Sequence, residues 1–86
     1  MSRLLETPEH VRVEVAAGVP ARVATGEGRR PALRVCARWR VETDWWRTPV
    51  SREYWKLELG GGSESLLCDV YQDRLTGEWW LSRLYD

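Results

Sequence analysis

Eighty-six residues make one small domain, near the lower end of sizes that fold without a staple. With no Phe and one Met, the core volume has to come from Trp, Tyr, Leu and Val, so the six tryptophans weigh heavily in it. Thirteen basic residues balance thirteen acidic ones, which argues against a uniformly basic, non-specific nucleic-acid binder but leaves room for a local stripe.

The opening "MSRLLETPEH" has no apolar run of signal-peptide length, and no stretch approaches the ~20 apolar residues of a membrane span. A cytoplasmic protein is therefore expected, with residues 1–10 a partly frayed N-terminal segment and residues 11–86 a single β domain. "VRVEV" sets Val11, Val13 and Val15 on one face of a strand, with Arg12 and Glu14 on the other. A turn at Ala17-Gly18 leads into a short strand, "VPARVAT", whose Pro20 confines its start to an edge. "GEGRRP" reads as a loop. "LRVCARWRVE" then gives the cleanest alternation, with Leu33, Val35, Ala37, Trp39 and Val41 on one face. Arg34, Cys36, Arg38, Arg40 and Glu42 take the other.

"TDWWRTPVS" breaks the pattern. Side chains of adjacent residues on an extended chain point to opposite faces, so Trp45 and Trp46 cannot both enter one core from a regular strand. A bend there sends one indole inward as a plug and leaves its neighbour on the surface. Strands "EYWKLEL", "SLLCDVYQD" and "EWWLSRLYD" follow, separated by the turns "GGGS" and "RLTG". Gly77 suits a left-handed position in the last turn. The expected fold is all-β: a small antiparallel meander of five to six strands, curled into an SH3-like or open barrel.

Catalytic groups do not converge in this sequence. The sole histidine, His10, lies in the N-terminal segment, no serine sits in a nucleophile elbow, and neither glycine loop has the Gly-Lys-Ser/Thr ending of a P-loop. Cys36 and Cys68 form no C-x-x-C pair and have too few companions for a zinc site, so both are expected as reduced thiols packed like small hydrophobes. The expectation is a non-enzyme with no metal and no cofactor.

Two surface features remain. Arg34, Arg38 and Arg40, extended by Arg22, form a basic stripe that suits the phosphates of a single-stranded nucleic acid, with aromatic rings stacking on its bases. Each Trp-containing doublet ("WW", "YW", "WW") puts about one aromatic on the second face of the sheet. Trp45, Trp46, Tyr54 and Trp79, rimmed by Arg52, thus form a candidate protein-docking patch.

Taken in order, "WRV", "DWW", "SREYW", a lone Asp before "TGEWWL", and a terminal "YD" resemble the small C-terminal domain of ImuB-type proteins. These are Y-family polymerase relatives without polymerase catalysis that act in bacterial translesion-synthesis mutasomes, and short stand-alone proteins of unknown function carry a similar domain. The resemblance runs from about Val11 to Asp86. Its landmarks are Trp39, Trp45, Trp46, Arg52, Tyr54, Trp55, Asp73, Gly77, Trp79 and Trp80. The polymerase-like body and a sliding-clamp peptide are both absent from these residues, so clamp recruitment does not carry over. The resemblance implies a non-catalytic module tied to DNA-damage tolerance, docking a replication or repair protein. Single-stranded nucleic acid bound by the arginine stripe is the alternative, and self-association through the aromatic face is a third reading.

Overall fold

The computed structural model describes residues 2–26, 28–43 and 49–85. Six strands follow in chain order: β1 (Ser2–Ala16), β2 (Val19–Thr25), β3 (Gly28–Thr43), β4 (Val50–Leu59), β5 (Leu66–Asp73) and β6 (Trp79–Tyr85). Each pairs antiparallel with the next, and β1 also pairs with β6, so the meander closes into a ring. No helix occurs among the described residues.

Two long strands make the closure possible by serving both sides of the ring. Residues 2–4 and 9–11 of β1 pair with β6, whereas residues 12–16 pair with β2. In the same way, residues 28–31 of β3 pair with β2, and residues 32–43 pair with β4. A three-stranded half (β1, β2, β3) therefore meets a five-stranded half (β3, β4, β5, β6, β1). Register shifts fall along β1 and β3, at Leu4/Glu9, Glu14/Val15, Ala32/Arg34 and Val35/Ala37, and in the β5–β6 ladder at Asp69/Val70. Such bulges bend a strand and increase its twist, which a small ring requires.

Residues 2–10 form the first part of β1: Ser2 faces Tyr85 and His10 faces Trp80 across the ladder. The "GEGRRP" loop is shorter than its sequence implied, because Gly28–Pro31 pairs with β2. The first segment gains its pairing from β6 at the far end of the chain and the second from the adjacent β2, so local alternation does not reveal either.

The inward face carries the core. Val11, Val23, Trp55, Leu57, Leu59, Cys68, Val70, Trp79 and Leu81 pack together, with Val13, Ala32, Leu66 and Leu84 around them. β4 shows the logic most plainly, since Glu53, Trp55, Leu57 and Leu59 are all buried while Arg52, Tyr54, Lys56 and Glu58 between them are half-buried. Burying one large aliphatic side chain contributes about 1.5–3 kcal/mol, so this row alone anchors the sheet.

Two turns match their sequences. Ala17 (φ 53°) and Gly18 (φ 78°) both lie in the left-handed region, as a two-residue type I′ hairpin demands. In the β5–β6 turn, Gly77 (φ 82°) donates its N–H to the Asp73 carbonyl at 2.7 Å, and Asp73 Oδ1 accepts from the Leu75 N–H at 2.9 Å.

Candidate interaction surface

The outward face of the five-stranded half carries a row of rings. Across the ladder Trp39 (β3) faces Tyr54 (β4), Tyr54 faces Tyr71 (β5), Tyr71 faces Trp80 (β6), and Trp80 faces His10 (β1). Trp39 and Tyr54 stack with centroids 5.2 Å apart and planes 8° from parallel. Tyr54 and Tyr71 are 5.0 Å apart and tilted, and His10 meets Trp80 edge-on at 4.9 Å. Cross-strand aromatic pairs of this kind contribute roughly 0.2–1 kcal/mol each.

Arg52 caps the row. Its guanidinium lies 4.6 Å above the Tyr71 ring and donates to the Tyr54 hydroxyl at 3.4 Å. That hydrogen bond, outweighing partial burial, raises the guanidinium pKa above its ordinary value. Tyr71, only 5% exposed between its neighbours, has its hydroxyl pKa raised by burial, with Arg52 opposing. The row thus forms a second, shallow layer of packing, open at both ends: His10 is exposed, and the Trp39 indole is 38% exposed.

Of the residues expected in the protein-docking patch, Tyr54 and Arg52 stand together here. Trp79 does not: it faces Gln72 and Val11 on the inward side and is 9% exposed, a core residue. Its neighbour Trp80 supplies the outward ring. Trp45 and Trp46 lie outside the described residues. Trp39, Tyr71, Trp80 and His10 were missed as members of the row. The diverging doublets signalled that one ring of each pair turns outward, but only the register says which one.

The arginine stripe is split. Arg34 faces Glu58 on the outward side, bonded to its carboxylate at 3.3 Å, whereas Arg38 and Arg40 face Trp55 and Glu53 on the inward side. The bulge between Val35 and Ala37 causes this, because one extra residue reverses the facing of everything after it. Arg38 Nε donates to Glu53 Oε2 at 3.2 Å, and its guanidinium lies 4.4 Å over the Trp55 ring. Arg40 donates to Glu53 Oε1 from Nη2 at 2.9 Å and from Nε at 3.2 Å. Arg22 pairs with Glu14 at 3.2 Å, on another part of the ring. Each of these arginines already has a carboxylate.

The bulge residue itself, Cys36, is exposed, which corrects its expected packing; Cys68 is buried among the core residues. Among the described residues, no three His, Cys, Asp or Glu side chains cluster as a metal site.

The backbone of β3 completes the surface. Past residue 32 its ladder runs to β4 alone, since β2 pairs only with residues 28–31. Among the described residues, nothing pairs with the other edge of β3 from Leu33 to Thr43. This stretch is also the most open of the ring, with Leu33 60% and Val35 38% exposed. No protein-family model, curated protein or solved structure matches the chain.

Proposed function

We propose that this domain is a non-catalytic protein-interaction module, taking an extended segment of a partner as an added strand along the open edge of β3. The observation that supports this is that, among the described residues, nothing pairs with the outer edge of β3 from Leu33 to Thr43. A peptide laid there satisfies the free backbone groups and extends the sheet. The side chains along the edge define the partner. Trp39, ending the aromatic row, offers an apolar contact on the outward side. Arg38 and Arg40 share Glu53 on the inward side, and Arg40 also pairs with Glu42, itself bonded to Arg74, so three roughly half-exposed arginines face two carboxylates. An added strand alternating apolar and acidic residues complements both sides. The resemblance to ImuB-type C-terminal domains points to a cytoplasmic partner in replication or repair.

Cys36, exposed within that edge, gives a handle for the test. A photo-crosslinker attached to its thiol is expected to capture a discrete partner in extracts of its own cells. The same label on Leu75→Cys in a Cys36→Ser background, at the far turn, should capture none of it. Arg38→Glu with Arg40→Glu should abolish the crosslink, and added salt should weaken it. Equal capture from both positions would defeat the proposal.

A further inference from the structure

The outward face of the three-stranded half is a separate feature that strand addition does not use. Arg12 (β1) faces Ala24 (β2), and Ala24 faces Arg29 (β3); one step along, Glu14 faces Arg22. Residues opposite each other on a ladder share a face, so Arg12, Arg22 and Arg29 surround the small side chain of Ala24. Together with His10 they line a hollow of about 620 Å³. Three arginines stand there against one glutamate, and that carboxylate is bonded to Arg22.

The hollow runs directly into the aromatic row. His10 and Arg12 lie two residues apart on β1 and face the same way, and His10 lies against Trp80. Arginine side chains and aromatic rings are thus contiguous on one outer surface. All three cations are arginines, whose planar forks match phosphate oxygens. Besides His10 and the charged side chains, Val11, Val13, Ala24 and Thr25 line the hollow, with Val11 buried.

We propose that this face binds single-stranded nucleic acid, with Arg12, Arg22 and Arg29 on the phosphates and His10 with Trp80 stacking on a base. The site differs from the Arg34, Arg38 and Arg40 stripe and is independent of the β3 edge.

The test is fluorescence anisotropy of a labelled 20-mer of deoxythymidine titrated with the full chain. Three phosphate contacts on a single strand give a salt slope of about −2, so affinity should fall roughly 20-fold between 50 and 200 mM salt. Replacing Arg12, Arg22 and Arg29 together by Gln should remove binding, while Arg38→Gln with Arg40→Gln should leave it within about twofold. If the triple variant does not fold by circular dichroism, Arg12→Gln and Arg29→Gln singly should each lower the slope by about 0.7. Undetectable binding at 50 mM salt, or binding indifferent to these substitutions, would overturn the proposal. So would capture by vesicles of phosphatidylserine and phosphatidylcholine without oligonucleotide binding, which would assign the face to a membrane.

Discussion

Glu53 is 8% exposed and accepts hydrogen bonds from two arginines. Burial alone would raise its pKa, but the bonds from Arg38 and Arg40, reinforced by their charges, hold it below the ordinary carboxylate value. Because the folded pKa is the lower one, the stabilisation is complete above the unfolded value of about 4.3 and fades as pH falls through the folded pKa. Glu53→Gln should therefore lower stability at pH 7 by about 1 kcal/mol, a modest figure because the arginines can turn back to solvent. Melting curves of the two proteins should converge once the pH falls below the lowered Glu53 pKa. The cysteines differ just as clearly. Burial, with the neighbouring Asp69 charge, pushes the Cys68 thiol up to about 12, while Cys36 stands in the open. A thiol reagent should titrate one cysteine in the native protein and two in denaturant; two in the native state would mean that the core around Cys68 opens readily.

At the scale of strands, the free edge of β3 has a direct signature. Amides of residues 33–43 that point away from β4 should exchange with solvent far faster than those of β4, which is paired on both sides. Uniform protection along β3 would show that another segment covers its edge. The β1–β2 hairpin offers a gain: Ala17 holds φ 53° in a turn that favours Asn, so Ala17→Asn should stabilise by about 0.5–1 kcal/mol in thermal melts. Much of this level was legible. "VPARVAT" coincides with β2, Gly77 is left-handed as its turn required, and the alternation of β4 correctly divides Tyr54 from Trp55. The misreadings have one cause: Leu33 to Glu42 alternates without a break in sequence, yet two bulges interrupt it in space. No glycine marks either bulge. They answer the curvature of the closed ring, which is a property of all six strands together. Choosing Trp79 over Trp80 failed for the same reason, since register with β5 and β1 decides which indole points inward.

For the molecule as a whole, one enclosed row carries much of the stability. Leu57 is fully buried at its centre, and Leu57→Ala should cost about 2–5 kcal/mol. A domain of this size is stable by only roughly 4–13 kcal/mol, so denaturant titration should show the variant close to unfolding. The ring also makes its surfaces separable: the β3 edge and the arginine face of β1, β2 and β3 engage different strand segments, so one can be disabled without touching the other. The pairing of Ser2 with Tyr85 has a further consequence. The first and last strands are neighbours, so the meander has a seam rather than two ends. Joining them through a short peptide and cutting instead within the exposed glycine turn at residues 61–65 would move that seam from between β6 and β1 to between β4 and β5. Such a circular permutant should keep the same ring, and it would carry cargo fused at its C-terminus on β4 in place of β6.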